Sequence, residues 1–271
     1  MNRHVLIFSL FFLSGIVFGK YAIQHTQKRS FLACSIPLTT IPLPKTVIHT
    51  QLPSYPWEAA HKENISPITK EYFRCKGFTL NPPLPIMKQG QLIENIFDCR
   101  GTHSLPIKHN QEHIYPILIK LLNEIQRKTT KPVIITSGHR CPQHNRYVDP
   151  SMNNRGSKHQ IGAEVAFYVA GLENEPEKIL DIIFQFYQSH PHYTAEKSSY
   201  CVFQRYEKTT NVRTAPWFNK EIFVKLFLPD EGRNAENTHP FPYISIQVRF
   251  DQDTNMRVIY SEKEAKCLYH Y

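Results

Sequence analysis

Between Thr136 and Val169 the chain reads TSGHRCPQHNRYVDPSMNNRGSKHQIGAEVAFYV, and this stretch concentrates the side chains able to do chemistry. His159 leads as a metal-ligand candidate, since neutral imidazole is a common ligand of zinc. Ser157, two residues earlier, is placed to orient a ligand or substrate by hydrogen bonding. Gly162, three residues later, lets the backbone turn or approach closely before an apolar strand. Glu164 and Ala166 follow on that strand, where alternate residues share a face.

Two motifs, Ser137-Gly138-His139-Arg140 directly after a strand and Ser157-x-His159-x-x-Gly162 about twenty residues on, resemble those of the zinc D,D-carboxypeptidases. That family includes the D,D-dipeptidases and shares its fold with the Hedgehog signalling domain. The resemblance spans roughly Glu112 to Phe250 and implies zinc as cofactor, with His159 as first ligand. It gives Arg140 the task of steadying a substrate carbonyl or developing oxyanion, which a permanently charged guanidinium with a fixed fork of donors suits. It makes Glu236-x-x-His239 the source of the catalytic base and third ligand. Glu236 would take a proton from a zinc-polarised water and pass it to the leaving amine. Thr238 departs from the family, which has an aromatic residue there, and Ser245 and Gln247 offer a competing alignment. The larger departure is Ala166, where the family places an Asp ligand. Two strand residues span roughly 6.6 Å, so Glu164 substitutes for that Asp only if the strand shifts or bulges. His139 receives no metal role, and His144 reads as a loop residue.

The elements that must hold these residues follow from periodicity. Glu112 to Lys128 reads as a helix with Ile114, Ile117, Leu118, Leu121, Leu122 and Ile125 on one face and Pro116 in its first turn. Pro132 to Thr136 reads as a buried strand, and Pro176 to Ser189 as a second amphipathic helix. Tyr200 to Tyr206, Glu221 to Leu228, Tyr243 to Phe250 and Met256 to Tyr260 read as strands. The last two are joined by the polar loop Asp251 to Asn255. Gln89-Gly90-Gln91 reads as a turn within an otherwise irregular segment reaching Leu105. Helices early and strands late predict an α+β fold, an antiparallel sheet flanked by helices, which is also the Hedgehog/DD-peptidase-like architecture the resemblance implies.

A basic start at Arg3 and the apolar run Val5 to Phe18 read as a secretory signal or an uncleaved signal anchor over residues 1–20. The run is shorter than the roughly 20 residues of a comfortable span. Residues 21–65 read as a Pro-rich tether and 66–271 as the folded domain. The location expected is therefore exported, either periplasmic or anchored to the inner membrane facing the periplasm. A formal net charge of +9 suits anionic envelope polymers, and no nucleic-acid-binding motif is present. Of six cysteines, Cys75, Cys99, Cys141 and Cys201 fall in the folded region. Cys75–Cys99 and Cys141–Cys201 is the pairing guessed among three. The absence of CxxC argues against a zinc–thiolate site.

Three functions are consistent with these features. The first is an extracytoplasmic hydrolase of peptidoglycan stem peptides of the zinc D,D-carboxypeptidase type. The second is a catalytically impaired relative, marked by Ala166, that binds peptidoglycan or a protein in the envelope. The third is an unrelated envelope structural protein.

Overall fold

Alternation along the strands decides this fold, because it gives one sheet two different faces. The computed structural model describes residues 65–101, 103–149, 156–194, 199–231, 240–262, 265 and 268. The signal segment and nearly all of the tether, together with Glu236 and His239, lie outside the described residues. Among the described residues no helix is long and apolar enough to cross a membrane.

The chain enters with a 3-10 turn at Lys70–Phe73, then the hairpin β1 (Leu84–Lys88) and β2 (Gln91–Ile96) and the short pair β3 (Ile107–Lys108) and β4 (Gln111–Glu112). Next come α1 (Pro116–Thr129), β5 (Val133–Ser137), α2 (Pro142–Val148), a second 3-10 turn (Lys158–Ile161) and β6 (Glu164–Val169). Helices α3 (Pro176–Ser189) and α4 (Pro191–Thr194) lead to β7 (Gln204–Arg205), β8 (Trp217–Phe218), β9 (Ile222–Phe227) and β10 (Tyr243–Val248). The pair β11 (Phe250–Asp251) and β12 (Met256–Arg257) follows. The principal sheet has the order β5-β6-β10-β9-β8-β7 with every neighbour antiparallel. This is the α+β, antiparallel-sheet architecture expected.

One face of that sheet is core. Val133, Ile135, Val165, Phe167, Ile222, Val224, Ile244 and Ile246 are buried with Leu118, Leu121, Leu122 and Ile125 of α1 and Ile179, Ile183 and Tyr187 of α3. The residues between them on the strands face the other way. Register places Ser137 opposite Ala166, Ala166 opposite Ser245, and Ser245 opposite Lys225, a row running across four strands. Glu164 lies opposite Gln247 one step along.

Helix α3 has the bounds the periodicity predicts. Helix α1 does not: it begins at Pro116, not Glu112, because Tyr115 is extended (φ −57°, ψ 122°) and the proline sits at the first helical position. Glu112 instead belongs to β4 and takes a two-pronged ion pair from Arg74, both contacts at 3.0 Å. The segment before Leu105 is not wholly irregular. It contains the β1–β2 hairpin, turned at Gln89 and Gly90, both with positive φ. Of Tyr200 to Tyr206 only Gln204–Arg205 pairs, and of Met256 to Tyr260 only Met256–Arg257. Two side-chain amides, half-buried Asn123 and buried Gln126, sew the entering segment to α1. Asn123 exchanges hydrogen bonds with the backbone of Ile68, both 2.8 Å, while Gln126 donates to the Ser66 carbonyl and accepts from Val133 N–H.

Glu221 is a charge at odds with its surroundings. Burial pushes its carboxyl up to about 7, against the lowering effect of hydrogen bonds from Tyr187 (2.9 Å) and Tyr193. A carboxyl raised above its ordinary 4.5 binds more protons in the folded state. Its stabilising contribution is therefore present below pH 4.5 and lost as pH rises through 7. Glu221→Gln should match the parent near pH 4.5 in urea unfolding and exceed it by about 1–3 kcal/mol at pH 8. A difference that does not change with pH would contradict this assignment.

Candidate functional site

The polar face of the sheet floors a cleft of about 450 Å³, lined among others by Ser137, Arg140, Ser157, His159, Glu164 and Ala166. Its far wall comes from Lys225, Phe227, Tyr243, Ser245 and Gln247. The loop leaving β5 and the turn entering β6 build the catalytic-type end. Gly138 is required in that loop because a Cβ there would come within 2.6 Å of the Phe73 backbone. The next residue, His139, donates its N–H to the Phe73 carbonyl at 2.6 Å. Burial lowers the His139 imidazole to about 4, so it stays neutral behind the cleft.

Ser157 caps the second 3-10 turn, its hydroxyl accepting from His159 N–H at 3.3 Å. The turn ends at Gly162 with φ +68°, where a side chain would approach the His113 carbonyl to 2.8 Å. This reversal folds His159 back over the start of β6. Its Nδ1 meets the Gly138 carbonyl at 2.6 Å. A carbonyl only accepts, so Nδ1 carries a proton and Nε2 is the nitrogen turned toward Glu164. Arg140 N–H donates to the His159 carbonyl (3.3 Å) and Arg140 Nε to Ser137 Oγ (3.0 Å), locking the two segments together.

Glu164 Oε1 lies 3.5 Å from His159 Nε2 and accepts from Ser245 Oγ (2.8 Å) and Gln247 Nε2 (3.0 Å). Burial acts to raise its carboxyl, but His159, Gln247, Arg140 and Ser245 together outweigh burial and hold it below the usual carboxylate range. Glu164 stands beside His159 without a shift of β6. The pairing of β6 with β10 is regular, and the bulge lies on β5 at Thr136. It is His159 that comes to Glu164, through the turn at Gly162. Ala166 faces the same cleft in the middle of the Ser137–Ala166–Ser245–Lys225 row, with no ligand group to offer.

The donor set can be tested against zinc. A separation of 3.5 Å is long for an N–H···O bond. It is close to the edge of about 3.4 Å between two ligands each 2.0–2.2 Å from a tetrahedral ion. An imidazole whose Nδ1 is fixed by a carbonyl is also the usual state of a metal-binding histidine. His159 and Glu164 therefore fit two corners of a zinc site. Among the described residues no third His, Cys, Asp or Glu closes on this pair. The remaining sequence candidates, Glu236 and His239, lie between β9 and β10, whose residues Phe227 and Tyr243 line the cleft.

Several lining residues carried no sequence motif. Lys225, which donates to Asn211 at 2.8 Å, and the stacked rings of Phe227 and Tyr243, 4.5 Å apart, reach the cleft by register alone. Lys158 lines it too, its ammonium lowered to about 8, chiefly by burial. His144 is not a loop residue. It is buried in α2 with Nδ1 2.6 Å from Asp98 Oδ1. Of the guessed cysteine pairs, Cys75 and Cys99 adjoin with Sγ atoms 3.7 Å apart, and Cys141–Cys201 is contradicted. Cys141 packs with Cys75 and Cys99, while the Cys201 thiol donates to the carbonyls of Tyr187 and Tyr193.

Fold and cleft define an α+β protein that gathers an imidazole, a carboxylate and a guanidinium on the polar face of an antiparallel sheet. The family model described as Peptidase M15 matches residues 92–189, from β2 through α3. No curated protein and no solved structure matches the chain.

Gly162→Ala should lower stability by about 1–3 kcal/mol in urea unfolding, from the left-handed backbone and the contact with the His113 carbonyl. A variant as stable as the parent would show that the turn does not depend on glycine.

Proposed function

We propose that this protein hydrolyses peptides of the peptidoglycan stem outside the cytoplasm, as an enzyme of the zinc D,D-carboxypeptidase type. The observation that carries the proposal is the His159 Nε2–Glu164 pair, 3.5 Å apart in a cleft that Arg140 also lines. Zinc, held by His159, Glu164 and His239, would supply Lewis acidity toward the scissile carbonyl and a water. The chain's own groups do the rest. Gly138 keeps His159 in the ligating tautomer, and Ser245 and Gln247 hold the Glu164 carboxylate toward the cleft. Arg140 meets the charge that develops on the carbonyl oxygen. Glu236 moves the proton from water to the leaving amine. Ser157 acts at one remove, by capping the turn that holds His159. The cationic Arg140, Lys158 and Lys225 suit a peptide ending in a carboxylate.

Export is supported by the basic start and the apolar run Val5 to Phe18, and a net charge of +9 favours an anionic wall polymer. If that segment stays attached, it is also the membrane contact.

One observation favours a second reading, a peptidoglycan- or protein-binding envelope module without hydrolysis. Ala166 removes the carboxylate the family places there, and Glu164 Oε1 already accepts two side-chain hydrogen bonds. Zinc content after dialysis and D-alanine release from a stem pentapeptide separate the two. In the hydrolase, Glu164→Ala holds one zinc equivalent fewer than the parent and loses roughly a hundredfold or more in rate. Unchanged zinc content and rate in that variant would overturn Glu164 as a ligand. A parent without release, made active by Ala166→Asp, would establish the impaired module instead.

A further inference from the structure

Behind the Arg140 loop, three sulfurs from three distant segments meet in the interior. Cys75 follows the first 3-10 turn, Cys99 follows β2, and Cys141 caps α2. All three are buried, and their Sγ atoms lie within 4.8 Å of one another. Cys75 Sγ and Cys99 Sγ are 3.7 Å apart, and none of the three is in a disulfide. Two thiolates at 2.3 Å from a tetrahedral ion are separated by about 3.8 Å, whereas a disulfide needs about 2.05 Å.

The surroundings are built for thiolates. Each sulfur accepts a different backbone N–H: Cys75 from Cys141 (3.5 Å), Cys99 from Gly101 (3.3 Å) and Cys141 from His144 (3.3 Å). Two of the cysteines stand in Cys-x-Gly turns that admit no side chain. A Cβ on Gly77 would fall 2.0 Å from Cys99 Sγ, and one on Gly101, at φ +72°, would fall 2.3 Å from the Gly77 carbonyl. A buried Asp98–His144 pair adjoins Cys99. A ring nitrogen of His144, a carboxylate oxygen of Asp98 and Cys99 Sγ lie within 4.8 Å of one another. Asp98 is engaged as an outer-shell carboxylate. It accepts from Phe78 N–H and Asn81 Nδ2 on one oxygen, and from Cys99 N–H and His144 Nδ1 on the other. The contact with Asp98 fixes the His144 ring beside Cys99, although its nitrogens do not fall within 4.8 Å of all three sulfurs.

We propose that Cys75, Cys99 and Cys141 form a structural site for a thiophilic divalent cation, zinc foremost, which His144, held by Asp98 beside Cys99, completes on binding. On binding, the three thiol protons pass to solvent and three sulfur–metal bonds form, without any change of oxidation state. The site ties the entering segment to the loop that presents Gly138 and Arg140. Its donors come from three places in the chain, with only Cys141-x-x-His144 local, so no CxxC spacing marks it.

Cobalt(II) titration of the reduced full-length chain tests this, because thiolate-to-cobalt charge transfer absorbs in the near ultraviolet and a His/carboxylate site gives no such band. The expected result is a saturable band at one equivalent, displaced by zinc, kept in His159→Ala and Cys201→Ser and lost in Cys99→Ser. Should Cys99→Ser fail to fold, His144→Ala serves, keeping the charge-transfer band while its visible cobalt bands shift. Absence of the band in the parent with its thiols reduced would overturn the proposal. So would its loss in His159→Ala, or a Cys75–Cys99 disulfide, two hydrogens lighter by mass, in protein purified without reductant.

Discussion

The hydrogen bond from His159 Nδ1 to the Gly138 carbonyl, 2.6 Å long, is the constraint on which the cleft depends. It joins the loop leaving β5 to the turn entering β6, and both segments exist in their observed form because of glycine. Gly138 allows the loop to lie flush on the Phe73 backbone, and Gly162 allows the left-handed reversal that brings the imidazole over the strand. Without that bond His159 could present either nitrogen. With it, Nε2 alone faces Glu164, and the interaction of Arg140 with Ser137 becomes part of the same lock.

The sheet supplies the complementary constraint. Strict alternation commits Val165, Phe167, Ile244 and Ile246 to the helices, so Glu164, Ala166, Ser245 and Gln247 share the opposite face. Cross-strand register then sets the chemistry. Gln247 lies opposite Glu164 and stabilises its ionised form, while Ser245 lies opposite Ala166 and bonds Glu164 diagonally. The family's Asp position is thus occupied by a small apolar residue, and the neighbouring carboxylate on the same face lies against the histidine. Glu164 meets His159 without distortion of β6 because the histidine rides on the preceding turn.

Legibility in the sequence followed how local each determinant is. Helix α3 was readable to its ends because Pro176 and the apolar period agree. Helix α1 was read too long because Ile114 continues the apolar period across Pro116, yet that proline fixes the true start. The β1–β2 hairpin escaped because Met87, Leu92 and Ile93 are exposed and leave no buried alternation to recognise. At the site, Ser157, His159, Gly162 and Arg140 were legible from two short motifs. The approach of Glu164 was not, since distance along a strand says nothing about a ligand carried by the preceding turn. Lys225, Phe227 and Tyr243 depend on register between strands far apart in the chain, and the meeting of Cys75, Cys99 and Cys141 on the packing of three segments.

A zinc ion bound between His159 and Glu164 is the central claim, and anomalous diffraction at the zinc absorption edge addresses it most directly. Crystals of the protein grown with zinc should give an anomalous peak in the cleft between His159 Nε2 and the Glu164 carboxylate, at ligand distances of about 2.0–2.2 Å. A cleft without such a peak, with His159 Nε2 and Glu164 in direct hydrogen-bonded contact, would contradict the account.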